Sequence, residues 1–276
     1  MNLGAHISIR QGYLLAAKTA KDIGGSSFQY FPKNPRSLSV KEFSEQDAFA
    51  CASYCKENNM SSIAHTPYPT NLSSKGSERD KVVASLVNDL EIAEACQSIG
   101  VVVHFGVSKN SKDPLEGYLL MIETLNIVCD LWHGKCLLLI ENNAGKSGPA
   151  GTTFEELVQV RNLVDFPEKI GFCFDTCHGF ASGLWTGNNW LEIEEKGTQI
   201  GYFEHLKAIH LNNSMYPSGS MKDRHANIHN GHIEKAQMKE FLGSKLLRNL
   251  PLILETPTSN NFTHQNEIEL IKNNYL

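Results

Sequence analysis

Nine residues of metal-binding type recur along the chain: His65, His104, Glu141, Asp175, His178, His210, Asp223, His225 and Glu255. Imidazole nitrogens and carboxylate oxygens together form a donor set suited to Zn²⁺, and its oxygen-rich parts suit Mn²⁺ as well. Nine donors exceed what one four-coordinate ion can use, whereas about three ions sharing one carboxylate would employ them all. Three divalent ions bring roughly +6, four carboxylates reduce this to about +2 and a hydroxide to about +1, so the site wants an anion. Phosphate fits, because paired metals generate hydroxide near neutral pH and stabilise the leaving oxygen of an in-line displacement.

Such a set works only if the elements bring it together, and six of the nine fall at or near the ends of strand-type runs. These runs are Leu3 to Ile7, Ser27 to Phe31, Ser62 to His65, Val101 to His104, Leu137 to Glu141, Gly171 to Asp175, Ala208 to Leu211 and Leu252 to Glu255. Local spacing supplies the rest. His178 follows Asp175 by three residues in FDTCHGF, so a tight turn or first helical turn would aim both inward. Asp223 and His225 lie two apart in KDRH, which in an extended loop puts both side chains on one side.

Between the strands lie helical runs: Lys41 to Glu57, Arg79 to Cys96, Leu115 to Trp132, Phe154 to Val164 and Glu234 to Leu242. In the second of these, Val83, Leu86, Leu90, Ala93 and Cys96 recur at steps of three and four, with Asp80, Lys81, Asp89, Glu91 and Glu94 expected off that face. Such a helix packs against the outside of a sheet. The runs VVVHF and CLLLIE are apolar nearly throughout, as strands buried on both faces of a parallel sheet must be. About eight strand and helix units without a Pro/Gly/Ser linker predict an α/β protein, a single-domain (β/α)₈ TIM barrel over residues 1–276. A doubly wound open sheet would call for G-x-G-x-x-G after the first strand, which is missing. In barrel enzymes the C-terminal ends of the strands carry the chemistry, which is where these donors fall.

Composition narrows the class further. With 25 Lys+Arg against 30 Asp+Glu in 276 residues, the formal charge of −5 argues against a general nucleic-acid coat protein, while leaving room for a small contact with a phosphate. No stretch reaches the roughly 18 apolar residues of a membrane helix, and MNLGAHISIRQ lacks a basic region followed by an apolar core. A soluble, cytoplasmic protein is expected. The seven Cys form an odd, scattered set, consistent with free thiols packed in the core of a protein in a reducing compartment.

Read in order, GAHIS, FPKNPRS, AHTPYPTNL, IENNAG, CFDTCHGFASG, IHLNNS, KDRH and LILET resemble the endonuclease IV family of apurinic/apyrimidinic endonucleases nearly end to end. The resemblance implies a trinuclear centre with about three Zn²⁺: His65 and His104 on one ion, with Glu141 bridging to a second. Asp175, His210 and Glu255 would complete the second, and His178, Asp223 and His225 would hold the third, with Mn²⁺ acceptable at one position. It further implies hydrolysis of the phosphodiester 5′ to an abasic site in duplex DNA, in base excision repair, with Glu141 or Glu255 orienting or deprotonating the attacking water. Arg36 and Tyr68 match positions that enter or line the DNA groove, and the abasic nucleotide would be flipped out. A monomer acting on duplex DNA, without a membrane, is expected.

Four departures from the family pattern bear on DNA affinity and damage preference. Pro69 follows the loop tyrosine where Leu is common, and HFG replaces His-Pro-Gly after His104. Asn213 stands where an acid is common, and the turn Asn227 to Glu234 reads NIHNGHIE. His229 and His232 in that turn are expected to be exposed, and His133, His205 and His264 to be solvated or packed. His6 is expected to hold a ligand carboxylate by hydrogen bond. Two alternatives compete. A xylose-isomerase-like sugar isomerase or epimerase on the same barrel would need one metal and leave His178, Asp223 and His225 surplus. A non-catalytic damage-binding protein would bind abasic DNA without nicking it.

Overall fold

The apolar runs form strands because only a sheet covered on both faces can bury them, and eight such strands pair in parallel and close on themselves. The computed structural model describes residues 1–107 and 113–276. In chain order the elements are β1 (Asn2–His6), α1 (Tyr13–Asp22), β2 (Ser27–Tyr30), α2 (Glu45–Glu57), β3 (Ser61–His65), α3 (Gly76–Ala95), β4 (Gly100–His104) and α4 (Pro114–Leu131). They continue with β5 (Leu137–Glu141), α5 (Phe154–Leu163), β6 (Ile170–Asp175), α6 (Thr176–Ser182), α7 (Trp190–Gln199), α8 (Tyr202–His205) and β7 (Leu206–His210). A short antiparallel pair, β8 (Asn213–Ser214) and β9 (His225–Ala226), then precedes α9 (Lys235–Gly243), β10 (Pro251–Leu254) and α10 (His264–Asn274). The barrel order is β1-β10-β7-β6-β5-β4-β3-β2, closed between β2 and β1. This is the expected TIM barrel. Among the described residues no helix is long and apolar enough to cross a membrane.

Side-chain alternation explains how the barrel aims its mouth. Ile63, Val102, Leu139, Cys173, Ala208 and Ile253 form a dry layer of their own. In every case the residue two positions later is a candidate ligand: His65, His104, Glu141, Asp175, His210 and Glu255. Strand side chains repeat with a period of two, so these six form the next inward-facing layer. Residues of opposite parity, such as Val101, Val103, Leu138, Ile140, Phe172 and Phe174, join the larger core beneath the helices. Register brings ligands side by side, pairing His104 with Glu141 and Asp175 with His210. Gly4 lets β1 and β2 approach closely, since a Cβ there would lie 1.7 Å from the Ser27 carbonyl oxygen.

Three local expectations are revised. The second helix starts at Glu45, not Lys41: the Lys41 N–H donates to Asn88 Oδ1 at 2.9 Å, and Ser44 caps the helix by accepting from the Asp47 N–H. Asp89, expected off the packed face of α3, is fully buried 3.0 Å from the Lys33 ammonium. The acid is drawn inward because the loop after β2 carries its counter-charge. Glu255 lies one residue beyond β10, although its inward direction is that of the strand. All seven cysteines are free and buried, as packing thiols should be.

Candidate metal centre

The nine candidate ligands converge at the C-terminal mouth of the barrel in overlapping groups. Ligand atoms of His65, His104 and Glu141 lie within 4.8 Å of one another, as do those of Glu141, Asp175 and His210, and those of His178, Asp223 and His225. Glu141 belongs to two groups through different oxygens. Its Oε2 lies 3.5 Å from His65 Nε2 and 3.2 Å from His104 Nε2, and its Oε1 lies 2.9 Å from His210 Nδ1. Glu255 Oε2 reaches to 3.3 Å from the same His210 nitrogen. In the remaining group, Asp223 Oδ1 lies 3.3 Å from His178 Nε2 and 3.5 Å from His225 Nε2, while His225 Nε2 is also 3.5 Å from Asp175 Oδ2. Glu141 and Asp175 thus sit between neighbouring groups. A fourth group, Asp175, Cys177 and His225, overlaps these. In that group the Cys177 thiol is engaged elsewhere, donating to Arg224 O at 3.6 Å.

Backbone geometry aims most of these side chains. Asp175 ends β6 and caps α6, its Oδ1 accepting from the His178 N–H at 2.7 Å, so one carboxylate both faces the centre and orients the helix that presents His178. Imidazole orientation is set by carbonyl acceptors. The Nδ1–H of His65 donates to Thr66 O at 2.8 Å, that of His178 to Asn142 O at 2.9 Å and that of His225 to Glu255 O at 3.4 Å, leaving each Nε2 toward the carboxylates.

The electrostatics favour a cation. Burial alone would push the Glu141 carboxyl up, yet His210 and His104 hold it well below the usual carboxylate range. Glu255 is likewise brought down to about 2 by His210 and His225 against the effect of burial. His178 responds in the opposite direction: burial disfavours its charge, and Asp175, Asp223 and Glu141 raise it well above an ordinary imidazole. Glu141 Oε2 and His225 Nε2 are nevertheless buried without a hydrogen bond of good geometry. Two orphaned atoms amid facing carboxylates and imidazoles fit a set of divalent cations, which would satisfy them together.

Three amide side chains that sequence reasoning passed over complete the site. Asn142 bridges to the Asp175 backbone, accepting from its N–H at 2.8 Å and donating to its carbonyl at 3.1 Å. Asn212 accepts from the Glu255 N–H at 2.9 Å and donates to Asp175 Oδ2 at 2.8 Å. Gln29, fully buried on β2, contacts both His210 and Glu255. The available signal was local inconsistency: a glutamine between two aromatics in SFQY, and asparagines directly after apolar strand ends in IENN and IHLNN.

Other candidates find definite places. His6 accepts from Gln29 Nε2 at 3.1 Å rather than holding a ligand carboxylate, and burial lowers it to about 4, so it is a neutral acceptor. The Nε2–H of His264 donates to Thr256 O at 3.0 Å. His229 and His232 are exposed, as expected, and His229 lies against Phe262. Asn213 is buried, its amide donating to Ile228 O and Ile233 O, both at 2.9 Å, and its Oδ1 accepting from the Ile233 N–H at 2.8 Å. It clamps the altered turn and takes no place in the ligand set. Arg36 and Tyr68 are placed on two loops tied by the Tyr68 N–H to Pro35 O at 2.8 Å. Tyr68, 64% exposed, rests edge-on against Phe31 beside a mouth cavity of about 360 Å³ lined by His65, His104, Glu141 and Glu255.

Fold and site define a class: residues 17–274 match the family model of xylose isomerase-like TIM barrels. Within that class, the chain is 40% identical over 269 residues to "Probable endonuclease 4" of Symbiobacterium thermophilum, covering 97% of each chain. Its fold superposes with a TM-score of 0.84 on endonuclease IV from Thermus thermophilus, at 29% identity over 99% of this chain and 98% of that one. The chain belongs to the endonuclease IV family. A D-tagatose 3-epimerase-like protein, covered over 96% of its length and matching 99% of this chain, shares the barrel at a TM-score of 0.68 and 19% identity, a likeness of fold alone.

Proposed function

We propose that this protein is a metal-dependent endonuclease that hydrolyses the phosphodiester 5′ to abasic sites in duplex DNA, a base excision repair activity in the cytoplasm of its cell. The observation that carries this reading is the set of overlapping donor groups joined through Glu141, with Glu255 added to it through His210, in a chain of this family. His65, His104 and Glu141 would hold one ion. Glu141, Asp175, His210 and Glu255 would hold a second, and His178, Asp223 and His225 a third. Zn²⁺ suits the imidazole-rich positions, and the carboxylate-rich second position also suits Mn²⁺. When bound, the ions supply Lewis-acid chemistry, acidifying water and neutralising phosphate oxygens.

The chain's own groups then have separate tasks. Glu141 and Glu255, which face each other's groups across His210, would orient the attacking water, and either could take its proton. Water adds at phosphorus and gives its proton to the carboxylate, the bond to the 3′ oxygen of the preceding nucleotide breaks, and that oxygen takes up a proton from solvent, so the strand ends in a 3′ hydroxyl facing a 5′ deoxyribose phosphate. Arg36 and Tyr68, on their tied loops, would meet the duplex, with Tyr68 filling space beside the extruded nucleotide. The protein acts as a monomer in this reading. The test pairs elemental analysis with a nicking assay on a duplex bearing one abasic site. About three metals per chain and 5′ nicking, both lost in folded Glu141→Ala or Asp175→Ala, are expected. About one metal with no nicking after Zn²⁺ or Mn²⁺ resupply would transfer the site to sugar epimerisation. Full metal content with tight abasic binding and no nicking would mark a damage-binding protein.

A further inference from the structure

We propose that Gln29 is a positioning residue of the metal centre: its amide keeps the His210 proton on Nε2, leaves the Nδ1 lone pair for an ion, and braces the Glu255 carboxylate. The inference rests on the metal-centre reading above and concerns a residue outside the nine ligands.

His210 differs from its neighbours in how it is aimed. His65, His178 and His225 each lean on a backbone carbonyl and turn Nε2 toward the carboxylates. His210 does the reverse, turning Nδ1 to within 2.9 Å of Glu141 Oε1 and 3.3 Å of Glu255 Oε2. Its Nε2 meets a side chain, Gln29 Oε1, at 2.7 Å. The amide orientation is itself determined. Gln29 Nε2 lies 2.6 Å from Glu255 Oε1 and 3.1 Å from His6 Nδ1, so its two hydrogens each find an acceptor. A flipped amide would set oxygen against carboxylate oxygen and leave no acceptor for His210. With Oε1 facing His210, Nε2 must carry a hydrogen, so the proton that an ion can displace is the one on Nδ1, which otherwise meets Glu141 Oε1 at 2.9 Å.

The placement allows no easy substitute. Gln29 sits on β2 and His210 on β7, which are not neighbours in the barrel, so the bond spans the mouth. Both side chains are fully buried, so bulk water cannot take over either hydrogen bond. Because one amide contacts a nitrogen ligand and an oxygen ligand of the same prospective ion, its loss would disturb both. The partners behind metal-binding histidines are commonly worth about 10–100-fold in affinity.

Gln29→Met keeps length and volume but neither donates nor accepts, and Gln29→Glu keeps the acceptor for His210 while removing the donors to Glu255. Chelator-stripped wild type and variants would be titrated with Zn²⁺, and ¹⁵N-histidine NMR of the zinc-loaded proteins would report the proton position on His210. In folded Gln29→Met, the weakest Zn²⁺ step is expected to loosen about 10–100-fold, with loss of the single Nε2–H signature. Gln29→Glu should restore that signature, which mere packing would not explain. Wild-type Zn²⁺ affinity together with an intact Nε2–H signature in Gln29→Met overturns the proposal. Should Gln29→Met not fold, a His210 proton on Nδ1 in Gln29→Glu overturns it, and one retained on Nε2 supports it. Wild type that takes up no Zn²⁺ refutes the metal-centre reading itself, whereas a loaded wild type equalled by Gln29→Met refutes only the role of Gln29.

Discussion

Asn213 illustrates how a single atom's donor or acceptor character assigns a residue. An aspartate there would set one carboxylate oxygen against both Ile228 O and Ile233 O, where the amide nitrogen now donates two hydrogen bonds. Buried acceptors facing carbonyl oxygens are costly, so Asn213→Asp is expected to lower stability by about 1–3 kcal/mol, read by chemical denaturation, without adding a metal by elemental analysis. An unchanged stability would mean the turn rearranges freely around the acid. The candidate ligands were legible at this scale because each combines a chemistry-bearing type with a strand-end position or a short spacing to one. Gln29 and Asn212 were not, since an amide's role depends on which groups face it across the mouth, and sequence neighbours reveal nothing of that.

At the scale of elements, the barrel strands were readable because runs such as GVVVH and LLLIE have one solution, burial on both faces. The short helix α6 was less readable: TCHGFAS has no amphipathic stripe, and its start is imposed by Asp175 as cap. Asp89 was misplaced because its partner, Lys33, comes from the loop after β2, far away in sequence. That pair ties the Arg36-bearing loop to α3 and makes stability depend on pH. Burial pushes the Asp89 carboxyl up to about 7, with Lys33 pulling it down only in part. The folded state therefore holds this proton more tightly than the unfolded chain, whose value is near 4. The contribution is fully present below about pH 4 and is lost as pH rises through about 7. Denaturation across that window should show wild type losing stability relative to Asp89→Asn, and parallel profiles would refute the assignment. The neighbouring loop makes a different prediction. Tyr68 is exposed, so Tyr68→Ala should change stability by under about 0.5 kcal/mol while weakening abasic-duplex binding about tenfold, as titrations in constant salt would show.

For the whole molecule, charge and stability meet at the barrel mouth. The chain carries a formal −5, and four of its carboxylates crowd one site where raised imidazoles offset them only in part, so a stripped site offers a phosphate no net attraction. Three divalent ions would add roughly +6 and reverse the local sign, which under the proposed function would make metal loading a condition for DNA binding as well as for chemistry. The barrel's apolar layers lie below the ligands, so chelation should leave the far-UV circular dichroism of the fold intact. Its stability should nevertheless fall, because ions bound only by the folded state stabilise by mass action. Free Zn²⁺ at about 1,000 times a site's Kd contributes about 4 kcal/mol. At roughly 2–4 °C per kcal/mol for a chain near this length, that raises Tm by about 10 °C for one site. Thermal unfolding of stripped protein with graded Zn²⁺ should therefore show a rising, concentration-dependent Tm, which Glu141→Ala blunts through the two groups it joins. A Tm indifferent to Zn²⁺ would mean that the ring of imidazoles and carboxylates is held by its own hydrogen bonds and not by metal.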